Sequence, residues 1–203
     1  MLSFLDARYR DVADYLAAGG PVMLPLALVS LAMWLLIADR LMYFRRLHRK
    51  NMSRREAADH IRRNRRPDPA RYQGVVFSLV DRFLQRRGGK PEIDRFILEE
   101  TAMTIDHRLD DHLNTIKVLS RLAPLLGLLG TVTGMIDTFE VLTLFGTGNP
   151  NGMASGISEA LITTETGLVV AIPGFYMQSF LDRRARNLKQ TLRNAGFHLR
   201  RTL

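Results

Sequence analysis

The 203-residue chain contains no cysteine. That excludes disulfides, thiolate catalysis and any thiolate metal site. Histidine is scarce: His48, His60, His107, His112 and His198 all fall outside the apolar segments, and no HExxH pattern occurs. His107 and His112 are five apart and diverge on a helix. Ser155, Ser158 and Ser179 have no histidine near them in sequence, and no glycine run makes a GxxxxGK[ST] phosphate loop. Hydrolase and NTPase chemistry are thereby excluded, and neither enzyme activity, metal nor cofactor is expected. Acidic charge is also short, with 20 Asp and Glu against 29 Lys and Arg. Such a balance suggests nucleic acid, but no recognition module or aromatic platform interleaves the arginines. No nucleic-acid partner is expected. The basic excess reads instead as membrane orientation and attraction to anionic lipid on the cytoplasmic side.

What the chain does have is apolar sequence gathered into three blocks. Pro21 to Ala38 carries no charge and continues into LMYF after Asp39 and Arg40. A bilayer core needs roughly 20 apolar residues in a helix. A signal peptide fits poorly, because the preceding stretch is acidic and amphipathic and no small-x-small site follows. The second block, Leu122 to Phe145, contains Asp137 and Glu140. The third, Gly156 to Phe180, contains Glu159 and Glu165. Both are rich in Gly, Thr and Ala, the composition of closely packed membrane helices.

Charge sets the expected orientation. Residues 45–117 hold 18 Lys and Arg against 11 acids, residues 182–203 hold seven against one, and residues 1–20 hold two against three. Positive residues beside spans mark the cytoplasmic side, and Arg45, Arg46, Arg49 and Lys50 sit directly after the first block. The expected organisation is a periplasmic amphipathic helix (1–20), span one (21–44), a cytoplasmic helical domain (45–120), span two (121–145), a periplasmic loop (146–155), span three (156–181) and a cytoplasmic helical tail (182–203). This is an all-α, multi-pass membrane protein with a periplasmic N-terminus and a cytoplasmic C-terminus.

Local signals fill in the helices. Phe4, Leu5, Val12, Tyr15 and Leu16 recur at helical period over 3–17, predicting a helix lying on the outer leaflet, ended by Gly19-Gly20-Pro21. Ser53 with Glu56 forms a capping-box pattern opening a helix that ends before Pro67. A helix is predicted over Tyr72 to Arg87 from Val75, Val76, Leu79, Val80, Phe83 and Leu84. From Glu92 to Leu122 there is neither Gly nor Pro. Ile93, Phe96, Ile97, Ile105, Leu109, Leu113, Ile116 and Leu119 make an apolar stripe there. One helix of about 50 residues, about 75 Å long, is predicted to run from there through span two. Span three likewise runs on to Arg193 without a breaker.

Carboxylates inside membrane helices are costly and point to function. Asp137, Glu140 and Glu159 lie toward the outer ends of their spans, where Asp137 and Glu140 could equally be a solvated rim. Glu165 lies deeper and could equally be a polar contact between subunits. Glu159, Thr163 and Thr166 follow i, i+4, i+7 and share a stripe, while Glu165 is about 120° away from Glu159. Thr131 and Thr133 in span two alternate with Gly130 and Gly134, which let a neighbouring backbone approach. Taken alone, these residues support only a polar seam in a helix bundle.

Two stretches carry a resemblance. Leu122-Ala-Pro-Leu-Leu-Gly-Leu-Leu-Gly-Thr-Val-Thr-Gly-Met135 and Gly156-Ile-Ser-Glu-Ala-Leu-Ile-Thr-Thr-Glu-Thr-Gly-Leu-Val-Val-Ala-Ile-Pro-Gly174 resemble the ExbB/TolQ/MotA proton-channel family, most of all its ExbB members. The resemblance implies a homopentamer whose second and third spans line a central pore. It also implies a dimer of a single-span ExbD-like partner in that pore and a TonB-like protein as the recipient of the motion. The implied role is a stator subunit of an inner-membrane motor that uses the proton-motive force to energise transport across the outer membrane. By motif, the family's membrane glutamate falls on Glu159 and its threonines on Thr131 and Thr164. Its helix prolines fall on Pro124 and Pro173, and Thr163 and Thr166 extend the polar lining. Gly127, Gly130, Gly134 and Gly167 are expected at close helix contacts. Glu165 and Asp137 depart from the family's usual residues as additional acids. A TolQ-type or motility stator would use the same engine, and a non-conducting membrane scaffold is the reading from a different class.

Overall fold

A computed structural model describes residues 12–48 and 51–201, and every regular element among them is helical. In chain order these are α1 (12–18), α2 (Met23–His48), α3 (Arg54–Arg62), α4 (Val75–Arg86), α5 (Pro91–Asp110), α6 (Leu113–Phe145) and α7 (Pro150–Arg200). A 3-10 turn, Gly146–Gly148, precedes α7. Three of the helical stretches, Met23–Leu47, Pro91–Gly148 and Pro150–Arg200, are long and apolar enough to cross a membrane. The chain divides into two compact units, one of residues up to 36 with 115–178, the other of 37–114 with 179 onward.

The first unit is built on small side chains. Ala123, Gly127, Gly130, Gly134 and Thr138 form the buried face of α6, and Gly156, Ala160, Thr163, Gly167, Ala171 and Gly174 that of α7. The spacing of three and four residues keeps each set on one side of its helix. The backbones touch: a Cβ at Gly134 would lie 2.6 Å from the Gly156 carbonyl, and one at Gly167 2.9 Å from that of Ala123. Pro124 lies within α6 and Pro173 within α7, and neither ends its helix. Leu24, Leu28, Leu31 and Leu35 of α2, with Leu125, Leu128 and Val132 of α6, point outward. That is the inverse of a water-soluble bundle and suits a lipid surround.

The expected surface helix over 3–17 lies mostly outside the described residues. Its described end, α1, does not stand clear of the spans: the Tyr15 hydroxyl is 2.9 Å from Thr166 Oγ1, midway along the apolar part of α7.

The second unit has an ordinary apolar core, with Phe83, Leu79, Ile61, Leu98, Leu109, Leu181 and Leu192 almost wholly buried. The Ser53 capping box forms as expected: the Glu56 N–H donates to Ser53 Oγ at 3.3 Å and the Ser53 N–H to Glu56 Oε2 at 2.9 Å. The Ser53 N–H and side chain and the Tyr72 hydroxyl, with the nearby Arg71 guanidinium, hold the Glu56 carboxyl below the usual carboxylate range. The α4 face buries Val75, Val76, Leu79, Val80 and Phe83. The α5 stripe differs from the sequence expectation: Asp94, Leu98, Thr101, Ile105 and Leu109 are buried, whereas Ile93 and Phe96 are exposed. Asp94 fixes this phase. Its Oδ1 accepts from the Gly88 and Gly89 N–H groups at 2.9 and 3.1 Å, and its Oδ2 from Arg87 Nε at 3.0 Å. Burial alone would push the Asp94 carboxyl up, but Arg87 and the two backbone donors outweigh it and hold it below its usual range.

The single helix expected from Glu92 through span two is broken. Asp111 is extended and His112 takes φ +60, so α5 ends at Asp110 and α6 starts at Leu113. Histidine enters this left-handed region more readily than most residues, so no glycine is needed. Arg40, buried on α2, donates from Nη1 to the Arg108 carbonyl at 3.3 Å, a group freed at the end of α5. A cation there also meets the negative end of the helix dipole. By contrast α7 is continuous for 51 residues, about 76 Å. It starts at Pro150, inside the segment expected as the 146–155 loop.

Candidate functional site

The seam between α6 and α7 positions the candidate residues. Thr163 lies inside it, fully buried against Gly130, with its hydroxyl donating to the Glu159 and Ala160 carbonyls at 2.9 and 3.0 Å. Gly130 is therefore glycine for want of space, since a Cβ there would strike the Thr163 side chain. A Cβ on Gly127 would lie 3.1 and 3.2 Å from the Thr163 carbonyl and the Thr164 Cα, and Gly167 sits against Gly127. A Cβ on Gly127, Gly130, Gly134 or Gly167 would lie 3.1 Å or less from the facing helix.

At 100° per residue, Thr131 is turned from the middle of the α6 buried face in the same sense as Thr164 from that of α7. On antiparallel helices this puts both on one flank of the seam. The contacts agree, because the Thr164 hydroxyl donates across the seam to the Gly127 carbonyl at 3.2 Å, one turn from Thr131. Thr131 itself donates back to the Leu128 carbonyl at 2.6 Å. Both threonines are half-buried.

Glu159 and Thr166 lie on the other flank. Thr166 donates to the Ile162 carbonyl at 2.7 Å and meets Tyr15. Glu159 packs over Gly20, the turn before α2. Asp137 of α6 is exposed and stands within electrostatic reach of Glu159. Glu165 is exposed on the side of α7 turned away from the seam, between Leu161, Leu168, Val169 and Ile172. A carboxylate so placed in a bilayer requires a polar partner from elsewhere.

The polar candidates thus form two flanks and a core, which the linear stripe Glu159, Thr163, Thr166 does not reveal. Sequence reasoning missed Tyr15 and Gly20 as neighbours of this stripe. The Gly-Gly pair signalled a turn but not what the turn would rest on. The chemical capacity is that of a hydroxyl and carboxylate lining. Among the described residues no group of three or more His, Asp or Glu side chains is placed to hold a metal.

Residues 71–194 match the family described as the MotA/TolQ/ExbB proton channel family. A Synechocystis protein named biopolymer transport protein ExbB-like 1 is 35% identical over 178 residues, 83% of this chain and 69% of the relative. Its paralogue ExbB-like 3 is 34% identical over 163 residues, covering 76% and 77%. The Vibrio cholerae biopolymer transport protein exbB1 is 30% identical over 146 residues, covering 68% and 59%. The matched segment takes in α6 and most of α7, where the glycine seam and the threonine flank lie. Such proteins are inner-membrane transport components rather than enzymes. With three helices fit to span a bilayer and that seam between two of them, the chain belongs to the MotA/TolQ/ExbB proton channel family.

Proposed function

We propose that this chain is the proton-conducting stator subunit of an inner-membrane motor that energises TonB-dependent transport across the outer membrane. Five copies surround a pore lined by spans two and three, and a dimer of an ExbD-like single-span protein occupies it. A TonB-like protein receives the motion. The N-terminus is periplasmic and the C-terminus cytoplasmic, with Arg45 and Arg46 beside anionic lipid. The observation that carries the reading is the flank formed by Thr131 and Thr164. Two hydroxyls from facing helices are held on one flank, within a turn of each other, by backbone contacts too close to slip. Glu159, Thr166 and Thr163 supply the rest of the polar set, with Glu165 and Asp137 as further acids.

The physics suits a motor. One proton falling through 100 mV releases about 2.3 kcal/mol, so useful work needs many protons in succession. Neither Thr131 nor Thr164 can hold a charge at neutral pH, so a partner carboxylate entering between them would complete the relay.

The test is coexpression with the neighbouring single-span protein, native mass spectrometry, and proton uptake into vesicles. A complex of five chains with two partner copies is expected, with uptake lost in Thr131→Val/Thr164→Val and in Glu159→Gln. A chain that neither oligomerises nor takes up the partner would overturn the reading and leave a scaffold. A partner bearing a peptidoglycan-binding domain would move it to a TolQ-type or motility stator.

A further inference from the structure

Glu159, Ile162 and Thr166 lie on one side of α7, and each is met by α1 or by the turn that joins it to α2. Tyr15 reaches Thr166. A Cβ on Gly19 would come within 3.2 Å of Ile162 Cγ2. A Cβ on Gly20 would coincide with the Glu159 carboxylate. Gly20 also has φ +69, where other residues are strained. Glycine is thus required there twice, by backbone and by space. These are independent demands, and only the second concerns Glu159.

We propose that the Gly19-Gly20 turn is the seat of the Glu159 carboxylate, with Gly20 a positioning residue that fixes where this acid stands. The turn leaves room for the carboxylate against bare backbone, and the Tyr15 to Thr166 bond pins the strand of contacts farther along α7. Any side chain at position 20 drives the carboxylate out of its place. The functional consequence rests on the proton-path reading above, whereas the seat itself does not.

The first experiment addresses the contact alone, in the full chain with its partner in native membranes. The chain has no cysteine of its own, so Gly19→Cys/Ile162→Cys gives a clean background. Mild oxidation is expected to form the intramolecular disulfide, read by mass spectrometry, and failure to form it would overturn the seat. The second experiment separates displacement from backbone strain. Gly146 has φ +58 with nothing within 4 Å of a Cβ, so Gly146→Ala carries similar strain without touching Glu159. Proton uptake is expected to fall on the order of tenfold to a hundredfold in Gly20→Ala, the scale of a small misplacement of a reacting group. Gly146→Ala is expected to stay at the wild-type rate. Equal losses in the two variants would reduce Gly20 to a turn residue. Glu159→Asp draws the carboxylate back by one methylene, so it should lower uptake in the wild type but restore part of it in Gly20→Ala. Additive losses in the double variant would overturn positioning. If Glu159→Gln leaves uptake intact, the proton-path reading fails while the disulfide still decides the seat.

Discussion

The two units of this chain are held together by opposite means. In the first, α6 and α7 meet through glycine, alanine and threonine, with backbone against backbone and large apolar residues turned outward. In the second, leucine, isoleucine and phenylalanine fill a core, and ions lace its rim. There Lys189 pairs with Asp106 and Asp110 at 3.2 and 2.5 Å, and Arg200 with Glu99 at 2.8 Å. The difference follows from the solvent each is built for. Burying a leucine gains nothing when lipid is already apolar, so close contact and hydrogen bonds must hold the helices. In water, burial of the same side chain stabilises by about 1.5–3 kcal/mol.

The sharpest way to break the contrast is Gly134→Leu. The atoms a side chain there would meet first are the Gly156 carbonyl and the Ala160 amide, 2.6 and 2.8 Å from a Cβ, and neither can swing aside. A loss of about 3 kcal/mol is expected, toward the upper end of overpacking costs. It is readable as a lower unfolding midpoint of the detergent-solubilised protein. In the second unit, Asp94→Asn should cost about 2 kcal/mol by removing a charged acceptor from buried donors. Because the folded Asp94 carboxyl is held below its usual range, its contribution is complete above the unfolded value of about 3.9 and fades as pH falls through the folded one. Wild-type stability should therefore drop more steeply than that of the Asn variant below about pH 4. Equal acid slopes would show the bond set to be idle.

Smaller effects sharpen the comparison. Burial opposes the charge on Lys189, but its bonds to Asp110 and Asp106 prevail and raise it above the usual lysine value. Its contribution is thus whole below the unfolded pKa of about 10.4 and is lost as pH rises through the folded value. Lys189→Ala should cost about 1 kcal/mol, less in high salt, when measured by chemical unfolding. The smallest effect is a contrast within α7. A Cβ at Gly196 meets nothing within 4 Å, so Gly196→Ala should stabilise by about 0.5–1 kcal/mol. Gly167→Ala, on the same helix but in the seam, should do the reverse. Two shifts of the same sign in thermal melts would show that glycine in α7 is a matter of propensity rather than of space.

Spans, caps and the uninterrupted course of α7 were legible because they depend on local sequence. Pro21–Ala38 is apolar, Ser53 and Glu56 are three apart, and nothing after Gly174 but Gly196 interrupts the third helix. The break at Asp111-His112 was not, because no glycine or proline marks it, and the Arg40 that meets the freed Arg108 carbonyl is 68 residues distant. Asp94 misled the stripe for a similar reason, since its donors lie on a preceding turn. The basic tail was read as charge that orients the chain in the membrane and attracts anionic lipid, yet Lys189 and Arg200 also answer acids on α5. At the candidate site the residue types were readable from the motifs. Their sorting into two flanks was not, because it depends on which face of α7 meets α6 and which meets Gly20 and Tyr15.

The threonines have one further consequence. Thr131, Thr133, Thr138, Thr163, Thr164 and Thr166 all direct their hydroxyl hydrogen to a helix carbonyl. With Thr166 donating to Ile162, Tyr15 must be the donor in the bond between them. Of these, Thr138 and Thr163 are buried, and what the half-buried Thr131, Thr133, Thr164 and Thr166 offer outward is only oxygen lone pairs. A hydronium ion finds acceptors along such a surface, whereas chloride finds no hydroxyl proton to hold it. The back-bonding that keeps the helices intact thus gives these hydroxyls a preference for cations before any carboxylate is counted.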